Sequence, residues 1–142
     1  MLFLAADHAG YELKEAVRHR LTTRGVPFED FGTFSDKAVD YPGYARQVAK
    51  AVLKHNGKGI LFCGSGEGMA IVANRSKGIR AAVVWDEDVA KETRDDNDAN
   101  IISLPARFIG EQKAWDIISA FLSTSFSHQD RHKRRIKQID EE

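Results

Sequence analysis

A chain of 142 residues has the length of one domain and can bury about 70% of its unfolded surface without disulfides or a structural metal. At 42% hydrophobic and 30% charged residues it resembles neither a disordered nor a membrane protein, and no apolar stretch approaches the roughly 20 residues of a membrane span. Its 21 basic and 21 acidic side chains balance overall, but His128–Lys137 is strongly basic and needs an anionic partner or open solvent. The strand-like start reads as neither a signal nor a transit peptide, and one cysteine, Cys63, fits a reducing compartment, so a cytoplasmic protein is expected.

Five apolar runs alternate with helical patterns, which predicts an α/β fold: a Rossmann-like αβα sandwich around a five-stranded parallel sheet. The first strand is Leu2–Ala6, and the helix after it carries Leu13, Val17 and Leu21 on one face and ends at Gly25. A second strand, Val26–Phe31, closes at Gly32. The polar linker Thr33–Pro42 runs over the surface, and Pro42 opens a helix with Tyr44, Val48, Ala51 and Val52 inward. The third strand ends at Cys63 and breaks into Gly64-Ser65-Gly66-Glu67-Gly68. The fourth, Ile79–Trp85, is apolar enough for a central place in the sheet. Asp86 is a candidate N-cap for the helix Glu87–Arg94, and Asp95-Asp96-Asn97-Asp98 marks a loop before the fifth strand, Asn100–Leu104. A last amphipathic helix places Ile117, Ile118, Phe121 and Leu122 inward. The polar break Ser123–Ser127 precedes a basic helical arm with an apolar edge at Ile136 and Ile139. Residues 1–142 therefore read as one domain, with an α/β core over 1–122 and a basic arm over 123–142.

In such a sheet, ligands collect outside the carboxyl ends of the strands. Asp7 and His8 fall there directly after the first strand. Asp7 either caps the first helix or accepts from sugar hydroxyls, and His8 is either simply exposed or a donor to phosphate or hydroxyl. Cys63 and the glycine loop stand at the same edge. The loop is neither the dinucleotide fingerprint nor a P-loop. A cysteine at a strand end before a helix start can act as a base, and the loop N–H groups and Ser65 can hold the oxyanion formed by proton removal beside a carbonyl. Glu67 works against the thiolate unless it points away. Tyr41 is a pocket wall or a core residue. Arg131 and Arg135, four apart, share a helix face; they belong to a solvated tail, a nucleic-acid patch or a phosphate clamp, and no aromatic side chains interleave the basic run to stack bases. His19 and His55 read as solvated, and no His/Cys/Asp spacing suits a metal.

Taken together, Asp7-His8-Ala9-Gly10, Asp40-Tyr41-Pro42, Cys63–Gly68, Ala73-Asn74, Gly78-Ile79-Arg80, Asn97-Asp98-Ala99-Asn100, Arg107 and Arg131-His132 with Arg135 resemble the ribose-5-phosphate isomerase B family, which includes the galactose-6-phosphate isomerase subunits. The resemblance implies a cofactor-free aldose–ketose isomerisation of phosphosugars in a homodimer or tetramer, with a site shared between subunits and the basic arm reaching a partner. It makes Cys63 the proton-transferring base. It makes Gly64, Ser65, Gly66, Glu67 and Gly68 the enediolate-binding loop, with Asp7, His8, Tyr41 and Asn97 as substrate contacts and Arg107, Arg131 and Arg135 on the phosphate side. Where the family carries the histidine that opens the sugar ring, this chain has Asp96, which at neutral pH is a poor proton donor. The expected substrate is ribose 5-phosphate, or a four- or six-carbon phosphosugar because of that change; a binding module without activity is the non-enzymatic alternative. No nucleic acid, membrane, metal or cofactor is expected as a partner.

Overall fold

The structure is a computed structural model that describes residues 1–141. Its elements follow in the order β1 (Leu2–Ala6), α1 (Tyr11–Thr23), β2 (Phe28–Asp30), α2 (Pro42–His55), β3 (Lys58–Cys63), α3 (Glu67–Ala73), β4 (Ala81–Val83), α4 (Glu87–Asn97), β5 (Ile101–Pro105), α5 (Glu111–Ser123) and α6 (Asp130–Ile139). The five strands form one parallel sheet in the order β2-β1-β3-β5-β4. The chain leaves β1 toward one edge and returns at β3 toward the other. The switch in strand order therefore lies between β1 and β3, where ligands of such sheets bind.

Alternate strand residues feed two cores, because successive side chains of a strand point to opposite faces. Leu2, Leu4, Ile60, Phe62, Ile102 and Leu104 pack under α1, α4 and α5 through Val17, Leu21, Ala90, Ile117, Ile118 and Phe121. Phe3, Ala5, Leu61, Cys63 and Ile101 face α2 and α3 through Val48, Val52, Met69 and Ala73. The expected three layers are present. So are the Pro42 start of α2 and the Asp86 cap, whose carboxylate accepts from the Asp88 N–H at 3.0 Å. Among the described residues no helix is long and apolar enough to cross a membrane.

Three local expectations need correction. β4 is an edge strand, not a central one, and keeps only Ala81–Val83 as strand; Val84 is buried beyond it but Trp85 is exposed. Its open edge is covered at Ala81 by the side chain of Asn74, which accepts from the Ala81 N–H at 2.7 Å and donates to its carbonyl at 2.8 Å. Asp95, Asp96 and Asn97 are the last turn of α4 rather than a loop. Their weak propensity is overridden at the C-terminus: Asp98 takes the left-handed cap conformation (φ 46°), and Arg94, a cation near the carbonyl end, reaches the Asp98 carboxylate at 2.7 Å. Ser123 closes α5 instead of opening the polar break, and β2 is shorter than the run that announced it.

The arm is held by its own chain. His132 on α6 faces Asp96 on α4, and the Asp140 carboxylate accepts from the Gly78 N–H at 3.0 Å.

Candidate active site

Strand register decides which side chains can meet. Ala6 lies level with Phe62 and Cys63 with Pro105, so β1, β3 and β5 end together and release Asp7, Gly64 and Ala106 side by side. Cys63 is 4% exposed at this edge, on the α2/α3 face, so its thiol is kept from bulk water. The Asp7 carboxylate is buried between the two loops it serves. One oxygen accepts from Gly10 N–H at 2.8 Å and the other from Gly64 N–H at 3.4 Å, which fixes the start of the glycine loop against the turn that enters α1. His8 is exposed, and its Nδ1 accepts from the Val39 N–H at 3.2 Å; a neutral His8 therefore carries its proton on Nε2, free to donate.

Glycines in the loop mark close approaches. A Cβ at Gly64 would come within 2.8 Å of Nη1 of Arg107, whose guanidinium thus lies along the loop, and the Arg107 N–H donates to the Gly64 carbonyl at 3.1 Å. A Cβ at Gly68 would come within 2.9 Å of the Tyr41 ring, so Tyr41 rests on the far end of the same loop. Gly66, at φ 82°, turns the chain into α3 in a conformation that side chains rarely adopt. The Ser65 Oγ accepts from the Glu67 N–H at 3.2 Å, and Ser65 and Glu67 are both exposed. Among the described residues no protein acceptor takes the amides of Ser65, Gly66 or Gly68.

One chain thus brings Asp7, His8, Tyr41, Cys63, Gly64, Ser65, Gly66, Glu67, Gly68 and Arg107 to a single edge. Asp96, Asn97, Arg131 and Arg135 stand elsewhere. α4 runs back from the carboxyl edge, and its last turn meets Arg80, which donates to the Asn97 carbonyl at 2.9 Å just ahead of β5. Asn97 therefore lies toward the strand starts, where Ile101 is level with Gly59. Arg131 and Arg135 are exposed on α6, which α4 holds. Arg131 bonds the side chain of Gln129.

Two buried polar residues behind the edge are absent from the expected set. Lys14 is fully buried on α1; its ammonium meets Asp30 at 2.5 Å and Glu15 at 3.2 Å. Asp30 in turn accepts from Gly32 N–H at 2.9 Å, and Gly32 and Thr33 bond the backbone of Ala6, next to Asp7. The pair thereby fixes the root of the segment that carries Val39 and Tyr41. The signal was there: Lys14 falls on the stripe of Val17 and Leu21, where a charge needs a buried partner. Ser103, the one hydroxyl within the apolar β5, is the other; it donates to the Gly66 carbonyl at 2.6 Å.

No group of three or more His, Cys, Asp or Glu side chains suited to a metal ion occurs among the described residues. A buried cysteine at a strand end, beside free amides and one guanidinium, can as its thiolate remove a proton next to a carbonyl, and the amides can hold the resulting oxyanion.

Comparison with known proteins finds sugar isomerases. A family model described as Ribose/Galactose Isomerase matches residues 2–139. The ribose-5-P isomerase B of Listeria innocua is 41% identical over 125 residues, covering 87% of this chain and 84% of its own. The ribose-5-phosphate isomerase B of Escherichia coli is 40% identical over 134 residues, covering 94% and 89%. The crystal structure of a ribose 5-phosphate isomerase from Thermotoga maritima superposes with a TM-score of 0.95 at 48% identity, over 98% of this chain and 96% of that one. That of ribose-5-phosphate isomerase B from Mycoplasma genitalium with bound ribulose-5-phosphate gives 0.91 at 37% identity, over 97% and 92%.

Proposed function

The chain belongs to the ribose/galactose isomerase family, and on that premise we propose that it interconverts ribose 5-phosphate and ribulose 5-phosphate with Cys63 as its base. In the open-chain aldose the Cys63 thiolate takes the proton from C2. Charge moves to the carbonyl oxygen at C1, giving a cis-enediolate held by Ser65 and the free loop amides. The C2 hydroxyl proton passes to O1, the carbonyl forms at C2, and return of the Cys63 proton to C1 gives the ketose. Substrate and product are isomers, so no electron carrier or other cofactor enters the balance.

The observation that carries this reading is the buried Cys63 at the mouth of a loop in which, among the described residues, the amides of Ser65, Gly66 and Gly68 have no protein acceptor. A dry site strengthens each of these interactions relative to water. Arg107, lying along Gly64, supplies positive charge on the phosphate side. Glu67 is exposed, so solvent screens its charge from the thiolate.

Arg131, Arg135, Asp96 and Asn97 fit a site completed by a second copy of the chain. α4 and α6 carry them, and no contact joins any of the four to Cys63 or the glycine loop of the same chain among the described residues. In this reading the protein is a homodimer or a pair of dimers, and each arm clamps a phosphate in the other subunit.

Asp96 favours a second reading of the substrate. A carboxylate in place of a ring-opening imidazole suits a sugar that is already open, and a four-carbon 4-phosphate cannot close a furanose. The deciding experiment assays isomerisation of four-, five- and six-carbon phosphosugars by wild type and Cys63→Ala. Ribose 5-phosphate turnover that falls by about 100-fold or more in Cys63→Ala is expected for a lost general base. Faster turnover of the tetrose phosphate selects the second substrate, and an unchanged rate in Cys63→Ala overturns the mechanism.

A further inference from the structure

We propose that Ser103 is a positioning residue that keeps the donors of the glycine loop aimed at the reacting carbonyl, an inference that rests on the enediolate reading of that loop.

Ser103 sits in the middle of β5, fully buried, on the face toward α3. A hydroxyl there needs a partner, and its partner is the Gly66 carbonyl at 2.6 Å. A trans peptide carries its C=O and N–H on opposite sides. Turning the Gly66 carbonyl down onto the sheet therefore turns the Glu67 N–H up, where Ser65 Oγ accepts it at 3.2 Å. A hydroxyl that accepts there keeps its own proton free to donate, and the open direction is the site. One buried bond thus sets the polarity of a short chain that runs from Ser103 through the Gly66–Glu67 peptide to the Ser65 O–H.

The loop needs such a fixture. Gly66 has no side chain to fix its peptide planes, and α3 behind it is only 7 residues long. Flipped, the same peptide would aim a carbonyl oxygen at the enediolate and repel it. The packing leaves the loop tight against the sheet: a Cβ at Gly66 would come within 3.0 Å of Val83 Cγ1 and within 3.3 Å of both Pro105 N and Ser103 O. What is fixed is the direction of the donors, not merely the presence of the loop. Truncating Ser103 should therefore affect the charged intermediate more than the bound sugar.

The test compares wild type with Ser103→Ala and with Ser103→Cys, whose S–H is a weak donor of similar reach. Backbone amide NMR signals of Ser65–Gly68, isomerisation kinetics, and affinities for inorganic phosphate and a phosphorylated hydroxamic acid mimicking the enediolate are measured together. In Ser103→Ala, the loop signals shift or broaden while those of β1 stay in place. The kcat falls about tenfold with KM within about twofold, as expected for misaligned oxyanion donors. The hydroxamate weakens by a similar factor, phosphate binding is unchanged, and Ser103→Cys lies between. Loop signals that do not move overturn the proposal. So does a parallel loss in kcat and KM with Ser103→Cys no better than Ser103→Ala, the pattern of a merely structural role. Loop signals that move as expected in a protein whose wild type turns over no phosphosugar support the positioning and overturn the isomerase reading instead.

Discussion

Nε2 of His132 stands 3.3 Å from Oδ1 of Asp96, and it is a buried polar atom out of alignment for a hydrogen bond with any described residue. This contact joins α6 to α4. Replacing Asp96 by Ala removes the one carboxylate in contact with His132 among the described residues and is expected to cost up to about 1 kcal/mol in urea denaturation. It should also free the arm, so limited trypsin digestion should cut between Arg131 and Lys137 sooner than in wild type. Equal digestion rates would show that the arm is held by other contacts.

If a second copy completes the site, two inactive proteins can repair one another. Cys63→Ala keeps its arm, and Arg135→Ala keeps its thiol. Mixed, unfolded together and refolded, they should regain activity of about one quarter of wild type, because half the dimers are hybrids and each hybrid has one intact site. Activity that stays at the level of the separate variants would place the whole site in one chain.

Tyr41 rests on Gly68 closely enough to make the pair testable by compensation. Gly68→Ala drives a methyl within 2.9 Å of Tyr41 Cζ, so the ring or the loop must shift. A displacement of that size is expected to lower kcat/KM by at least about tenfold. Adding Tyr41→Leu to Gly68→Ala should recover part of the loss. Additive defects in the double variant would show that the clash is not the cause.

A further prediction concerns pH. The hydrogen bond from Lys113, together with that from the Asp88 N–H, holds the Asp86 carboxyl below the usual carboxylate range. A group whose folded-state pKa is lowered binds fewer protons folded than unfolded, so its stabilisation is complete above the unfolded value and disappears as pH falls through the folded one. Asp86→Asn should therefore have a lower Tm than wild type at pH 6, with the difference closing at the acid end, below the ordinary aspartate value. Because Asp86 and Lys113 face solvent, added salt should narrow the difference at pH 6 as well.

Much of the fold could be read along the chain because local signals and tertiary packing agree. Pro42 opens its helix, Asp86 caps one, and the stripe Val17–Leu21 is buried. The place of β4 could not be read, since Ile79–Trp85 has the same apolar character whether it is flanked by one strand or two, and strand order is a long-range property. Asp95–Asn97 misled for a related reason. Their propensity disfavours helix, but Arg94, Arg80 and His132, all distant or on other turns, supply the partners that keep the last turn wound. For the site, residues on one edge were legible from strand ends alone, whereas the separation of Asp96, Asn97 and the arm from Cys63 follows from the return path of α4. Lys14 and Ser103 were hidden because a single polar residue in an apolar pattern does not reveal its partner.

Asn74 has a consequence for how copies of this chain can assemble. By occupying both the donor and the acceptor of Ala81, an amide side chain imitates one residue of a neighbouring strand and closes the register at the point where a sixth strand would begin. A strand from a second copy approaching along this flank would have to displace Asn74 before it could pair at Ala81. A contact at this point would run through side chains, which can carry chemistry as well as shape.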